Sequence, residues 1–515
     1  MKIRIKPDND KTIFQILREK NVYMPAPCAG RGVCGKCRVR VLSGYAAVTD
    51  SDKNVFSQNE LQEGFRLSCK CVPMEELLVE VEGSREESMD VLGMSESVNE
   101  ASVEAGSLTE NEVILGIDIG TTTIAMALAD AVTGRIIDEY LTINRQRMYG
   151  ADVISRIQAS VEGKGNELRS CIREDLWKGI AELCHRNDVI PGQVIIAANT
   201  TMIHLLMGYP CNTLGVAPFT PYNIDEINGS VQDILGVSEH DIEELYKAPV
   251  RILPGISTFV GADIVADMLV CDMAADNKKV SMLIDLGTNG EMAIGNGDRI
   301  LVTSAAAGPA FEGGNITHGT GSVPGAVCGV EISGEDIRLK TIRDEAPTGI
   351  CGTGTIEIIY ELLKTGLLDE TGYMEDEEFV LAEKPDGNVS FFQKDVRELQ
   401  LAKSAIRAGV ETLLLRYGVK AEDVDNVYLA GGFGYHINLA KAVGIGLFPK
   451  AFEDKIKIIG NGSLIGALAC GRQETKAACN VIIDRIKKVS DEVGLAMDND
   501  FNELYMKYMF FDGEF

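Results

Sequence analysis

The chain of 515 residues carries 77 acidic against 49 basic side chains, a formal charge of −28, with 45% hydrophobic and 6% aromatic residues. That length fits about three domains, and the excess of negative charge argues against nucleic acid or anionic lipid as a partner. Thirteen cysteines, five of them between Cys28 and Cys71, do not make a disulfide framework. The opening MKIRIKPDNDK lacks an apolar signal core and no run of about twenty apolar residues follows, so a cytoplasmic protein with no membrane partner is expected.

Taken in chain order, KIRIK alternates as a strand, TIFQILREKN reads as a helix, and RVRVL and LLVEVEG as two further strands. Residues 1–83 are therefore expected to form a small α+β unit around a cysteine loop. They hold 13 basic and 11 acidic residues, whereas residues 84–112 hold one basic and eight acidic. The stretch 84–111, rich in Ser, Glu and Gly, reads as an acidic flexible linker with a root-mean-square span of roughly 30 Å, enough for the first domain to swing. Beyond it, the strand-like runs VILGIDIG, QVIIAAN, VSMLIDLG and NVYLAGG alternate with helical stretches such as DVISRIQASVEG and ELQLAKSAIRAGVETLLLRYG, a pattern of α/β architecture. One segment recurs: Ile117-Asp118-Ile119-Gly120-Thr121-Thr122 and Ile284-Asp285-Leu286-Gly287-Thr288-Asn289. Residues 112–515 thus read as two similar lobes, about 112–280 and 281–475, with a C-terminal extension.

In the first unit, Cys28, Cys34 and Cys37 are spaced C-x5-C-x2-C and Cys69 follows in Arg66-Leu67-Ser68-Cys69-Lys70-Cys71. Four thiolates suit a 2Fe-2S cluster, and the intervening glycines let the backbone curl round it with N–H groups aimed at the sulfurs. A structural zinc site also takes four sulfurs, but the wide C-x5-C bite favours the larger ligand. Residues 1–83 resemble a 2Fe-2S ferredoxin domain of the β-grasp fold. That resemblance implies Cys28, Cys34, Cys37 and Cys69 as cluster ligands, with Cys71 as a substitute for Cys69. Gly30 to Cys37 also reads G-x4-G-K-C, close to a P-loop, but it lacks the hydroxyl residue and the preceding strand that motif needs. The nucleotide has to be sought elsewhere.

Each Asp-x-Gly-Thr turn follows an apolar run, so its carboxylate emerges at a strand end, where it can position Mg²⁺ or its waters. The Gly-Thr backbone and hydroxyls are placed to bind phosphate oxygens. A third motif, Tyr428-Leu429-Ala430-Gly431-Gly432-Phe433-Gly434, offers side-chain-free backbone to a base and ribose. Together the three resemble the actin, sugar kinase and Hsp70 (ASKHA) ATPases. The resemblance implies that Asp118, Gly120, Thr121 and Thr122 form the first phosphate motif, Asp285, Gly287, Thr288 and Asn289 the second, and Gly431, Gly432, Phe433 and Gly434 the adenosine motif. Asp118 and Asp285 would hold Mg²⁺ for ATP, and Glu291 could order the attacking water. The segments 255–263 and 460–467 fall where the two connecting helices of that fold are expected, and 304–313 as a loop over the phosphates. His318 and His436 are the histidines worth mutating.

A ferredoxin domain ahead of such an ATPase resembles the reductive activators of corrinoid-dependent enzymes. The resemblance implies ATP-dependent delivery of one electron, converting inactive Co(II) to Co(I). It also implies a corrinoid protein of a methyl-transfer system as partner, a low-potential electron donor upstream, and pairing into a homodimer. The alternatives are an electron-transfer activase of a radical dehydratase or reductase, a redox-sensing small-molecule kinase, and a module in which nucleotide only sets partner affinity.

Overall fold

A computed structural model of the chain describes residues 1–8, 10–20, 22, 24, 28, 30–33, 35–81, 112–236, 243–334, 336–384, 387–432 and 437–511. The predicted linker 84–111 lies outside the described residues, as do Cys34, Phe433, Gly434 and His436.

The first sheet contains β1 (Lys2–Ile5), β2 (Arg38–Ser43), β3 (Phe65–Leu67) and β4 (Leu77–Val81) in the order β1-β4-β2-β3, antiparallel throughout. The helix Ile13–Glu19 starts at a capping box, with Thr12 N–H bonded to Gln15 and Gln15 N–H to Thr12, and buries Ile13, Phe14, Ile16 and Leu17. β3 is not evident in the sequence, because three residues carry too little alternation to register. Two short helices, Asp50–Val55 and Gln58–Gln62, each begun by its own capping box, fill the connection before it.

The second sheet takes β5 (Val113–Ile119), β6 (Thr123–Asp130), β7 (Ile136–Ile143), β8 (Gln193–Ala198), β9 (Ile227–Ser230) and β10 (Pro249–Ile252) in the order β7-β6-β5-β8-β10-β9. The third begins with β11 (Ser281–Leu286), β12 (Gly290–Gly295) and β13 (Ile300–Ala305). The chain then makes small sheets from β14 (Ala326–Ser333), β15 (Asp336–Thr341) and β16 (Gly349–Ile350), and from β17 (Glu378–Ala382) and β18 (Val389–Phe392). It returns with β19 (Asn426–Ala430), β20 (Ile456–Gly460) and β21 (Ser490–Glu492), giving the order β20-β19-β11-β12-β13-β21. In both six-stranded sheets an antiparallel meander is extended by parallel strands: β8 lies beside β5 and β10 beside β8, while β19 lies beside β11 and β20 beside β19. The recurrent segment of the sequence is the first strand and turn of each meander, which gives the expected two lobes.

The stretch predicted as one helix from Asp152 runs Val153–Ala159, passes through a π-turn at 160–164 with Gly163 at φ 92°, and continues as Gly165–Asn187. The helix Ala262–Val270 packs on the helix Gly462–Gly471, which also lies across β5 and β8. Beyond residue 475, the helix Lys476–Val489 leads into β21 beside β13, and the helix Asn499–Lys507 packs on the long helix Gln393–Tyr417.

Candidate active site and cluster loop

The two acidic turns meet face to face. Thr122 Oγ1 at the end of β5 lies 3.1 Å from Thr288 Oγ1 at the end of β11, and both hydroxyls donate to Glu312, at 2.7 and 3.2 Å. The first turn is held from behind: Asn144 donates to the Gly120 carbonyl at 2.9 Å, buried Arg156 donates to the Thr121 carbonyl, and Asn199 reaches Thr121 Oγ1 at 3.2 Å. Asp118 accepts from Asn461 at 2.9 Å and from Ser463 at 2.9 Å, residues that follow β20 of the other sheet. In the third sheet Asp285 stands opposite Glu291 on β12 and beside Ala430 on β19. This register explains the glycine after Ala430. Gly431 has φ +94°, and a Cβ there would lie 2.3 Å from the Leu286 carbonyl oxygen and 2.6 Å from Asp285 Oδ1. Gly432 has open space where a side chain would be.

Five carboxylates crowd the floor between the sheets. Burial, reinforced by the Asp118 charge, pushes Asp285 up to about 7. Burial together with the Asp285 and Asp118 charges pushes Asp263 up to about 8. Asp267, one helical turn beyond Asp263, is fully buried and raised well above the carboxylate range by burial and then by Asp285. Burial favours its protonated form, and both its oxygens are buried without a hydrogen-bond partner among the described residues. Glu291 is raised in the same way by burial and by Asp263 and Asp285, and accepts from Ser304 at 3.3 Å. Asp118 is raised by burial against its two hydrogen bonds. So many buried carboxylates ionise together only beside a cation, and a hard divalent ion takes oxygen donors of this kind. Carboxylate oxygens are the donor type Mg²⁺ takes, although among the described residues no three such side chains converge on one metal position.

In the first unit, the pairing of Arg38 with Leu67 carries Cys37 and Cys69 to the same end of the β2–β3 ladder, where Ser68 N–H donates to the Cys37 carbonyl at 2.9 Å. Cys69 donates to Cys37, which holds the Cys37 thiol down at about 7 and pushes Cys69 well up, and the charge of Cys28 bears on both. Gly30, Gly32 and Gly35 all have φ between +72° and +82°, so the loop curls through conformations open to glycine and strained for other residues. Cys71, two residues on, turns into the core, where burial and then Asp52 push it up to about 11. Thiols converging on a glycine-curled loop fit a 2Fe-2S cluster, and Cys69 lies beside Cys37.

Several of these groups are not evident in the sequence. Asp267 has a signal, since it follows Asp263 by four residues and so shares its helical face. Glu312 lies in the glycine-rich 304–313 loop without a spacing that singles it out. Asn199, Asn461 and Ser463 follow strand ends, where polar residues ordinarily cap helices, and Asn199 and Asn461 do so here. His318 accepts from the Ser390 N–H at 2.8 Å and joins its loop to β18.

A sheet with a ferredoxin-type cysteine loop, followed by two matched sheets that oppose acid–glycine–threonine turns, defines an iron–sulfur protein joined to an ASKHA-type nucleotide cleft. Models of known families match in that order: the 2Fe-2S iron-sulfur cluster binding domain over residues 2–74, the RACo middle region over 113–276, and the C-terminal domain of RACo, the ASKHA domain, over 279–514. The chain is 33% identical over 423 residues to the corrinoid activation enzyme RamQ of Eubacterium limosum, covering 76% of this chain and 69% of that protein. It is 32% identical over 285 residues to the Co(II) methylated amine-specific corrinoid protein reductase of Methanosarcina barkeri, spanning 51% of each. A solved reductive activator for corrinoid, iron-sulfur protein matches with a TM-score of 0.71 at 25% identity, covering 99% of this chain and 97% of the other. The chain belongs to the RACo-type reductive activators. Among its described residues no helix is long and apolar enough to cross a membrane.

Proposed function

We propose that the chain delivers single electrons to the cobalt of a partner corrinoid protein, converting inactive Co(II) to Co(I) at the expense of ATP. The observation that carries this is the meeting of Thr122 and Thr288, from two separate sheets, on one carboxylate, Glu312. Nucleotide phosphate seeking those hydroxyls has to displace that carboxylate and so alter how the sheets are joined. Cys28, Cys34, Cys37 and Cys69 hold the 2Fe-2S cluster, which when bound supplies a one-electron carrier. Asp118 and Asp285 hold Mg²⁺ while Gly120, Thr121, Thr122, Gly287, Thr288 and Asn289 bind phosphate oxygens. Gly431, Gly432, Phe433 and Gly434 receive the adenosine. Glu291 orders water from β12, and Glu312 is a second carboxylate placed to do so.

The working division is a ferredoxin unit at 1–83, a linker at 84–111 and a two-lobed ATPase from 112. A low-potential donor refills the cluster, the methyl-transfer corrinoid protein empties it, and the free thiols of the described cysteines suit a reducing cytoplasm. Pairing into a homodimer completes the reading. The test is anaerobic mixing of the reduced protein with candidate corrinoid proteins, followed by visible spectroscopy with and without ATP. Co(I) is expected to accumulate only with ATP, and equal yields in both arms refute the coupling.

A further inference from the structure

The ladder between β2 and β3 ends where the cysteine loop meets it. Arg38 pairs with Leu67, so the next step outward sets Ser68 opposite Cys37, and the Ser68 N–H donates to the Cys37 carbonyl at 2.9 Å. Residues directly opposite in an antiparallel pair send their side chains to the same face, with Cβ atoms about 5 Å apart. The Ser68 hydroxyl therefore stands beside the Cys37 thiol. The serine is fixed from its other side as well, because its carbonyl accepts from the Phe14 N–H at 3.0 Å. Ser68 is fully buried and Cys37 is 1% exposed, so bulk water reaches neither. Even so, Ser68 Oγ has no hydrogen-bond partner among the described residues. Its buried neighbour Asp52, by contrast, accepts from the Leu67 N–H and from Thr49 Oγ1, each at 2.7 Å. A buried hydroxyl left unpaired destabilises a fold, and an alanine in the same place would not. Ligation to iron turns the neighbouring thiol into a thiolate, which is the acceptor this hydroxyl lacks.

We propose that Ser68 is a positioning residue for the electron transfer: its hydroxyl donates an O–H···S hydrogen bond to the cluster-bound Cys37 sulfur and raises the potential at which the cluster takes up its electron. The inference rests on the cluster reading given above, with Cys37 as a ligand. Reduction adds one negative charge, which is shared by the ligand sulfurs. A donor aimed at one of those sulfurs stabilises the reduced form more than the oxidised one. Cys37 is too deeply buried to take that donor from water, so a side chain has to supply it. The proton stays on Ser68 Oγ throughout, and the electron is the only particle exchanged with donor or acceptor. A higher potential makes the cluster easier to fill from upstream and makes the onward step to cobalt steeper. Ser68 thus sets how the uphill part of the reaction is divided between filling the cluster and emptying it.

The test is an anaerobic redox titration of the full, cluster-loaded chain, followed by visible absorbance and by the electron paramagnetic resonance of the reduced cluster. Neither ATP nor a corrinoid acceptor is needed, and iron content is measured for every sample. The unmodified chain is compared with Ser68→Ala and with the pair Ser68→Thr and Ser68→Val, which match in shape and differ by a hydroxyl. At a fixed potential the ratio of reduced to oxidised cluster is expected to fall about tenfold in Ser68→Ala and Ser68→Val, a shift of about 59 mV to lower potential for one electron. Ser68→Thr keeps the donor and is expected to titrate with the unmodified chain. The Thr and Val pair also supplies the comparison should Ser68→Ala load its cluster poorly. An unchanged or higher potential in Ser68→Ala, or Ser68→Thr displaced as far as Ser68→Val, overturns the proposal and leaves the cluster reading standing. Absence of iron from the unmodified chain overturns the cluster reading, and the proposal with it.

Discussion

Removing Mg²⁺ from the cleft is expected to make the protein lose stability as pH rises from 5 to 7, opposite to the usual behaviour of paired carboxylates. In the folded chain Asp285 titrates at about 7 and Asp263 at about 8, against about 3.9 for an unfolded aspartate. A carboxyl whose folded pKa is raised binds more protons in the native state than in the unfolded one throughout that interval. Its contribution to stability therefore falls with rising pH, by about 1.4 kcal/mol per unit. Between pH 5 and 7 two independent groups would remove about 5 kcal/mol; because their titrations are coupled, about half of that is expected. At roughly 1 °C per kcal/mol for a unit of about 400 residues, the melting temperature in EDTA should drop by about 3 °C. The window closes at pH 7 because Cys37 and Cys479, both held at about 7, contribute with the opposite sign above it. Asp175, pushed up to about 6 by burial, has the same sign and sits on another helix. Asp285→Asn is therefore the control: it keeps the Asp175 contribution and loses that of Asp285 together with its effect on Asp263. Excess Mg²⁺ favours the ionised carboxylates and should flatten the slope. Melting curves by scanning fluorimetry read all of these conditions. A melting temperature that is level or rising from pH 5 to 7 in EDTA, or a slope unchanged in Asp285→Asn, refutes the reasoning.

Two further outcomes follow from single positions. Gly431→Ala places a methyl 2.3 Å from the Leu286 carbonyl oxygen at φ +94°; the left-handed backbone alone costs about 1–2 kcal/mol. ATP affinity by calorimetry should fall at least about tenfold, and unaltered affinity rejects the close approach. After anaerobic reconstitution, Cys69→Ser should lose the visible absorbance of the cluster while Cys71→Ser keeps it; the reverse pattern moves the ligand to Cys71.

What the sequence makes legible is whatever is carried by local pattern. Asp118 and Asp285 are visible because each ends a buried strand before a glycine, and the cysteine loop because its spacing and glycines are contiguous. Asp267 and Glu312 are not, since their significance comes from which strands lie side by side. The register that puts Asp285 beside Ala430, and so makes Gly431 necessary, spans 145 residues of chain. The meeting of Thr122 with Thr288 spans 166. β3 escapes notice for a different reason, being three residues long, and yet its pairing with β2 sets Cys69 beside Cys37 while Cys71 enters the core.

The geometry also indicates how nucleotide turnover can drive an unfavourable electron transfer. Plant-type 2Fe-2S centres lie near about −400 mV, and a metal reduced to Co(I) is expected to demand a lower potential still, so the bare transfer would run uphill. One electron moved through 100 mV corresponds to about 2.3 kcal/mol. A ligand that inverts a two-state population supplies about 5.5 kcal/mol, which offsets roughly 240 mV. It does so only by binding one state better than the other, and the contacts of Glu312 provide that difference. The carboxylate accepts from the two threonine hydroxyls, so if phosphate takes those hydroxyls, as proposed, the joined state and the phosphate-bound state exclude each other. Asn461 and Ser463 link the third sheet to Asp118 of the second, and Arg18 of the first unit lies over the Tyr149 ring, 4.5 Å from its centroid. These are the contacts through which a rearrangement at the phosphates would have to reach the unit that carries the cysteine loop.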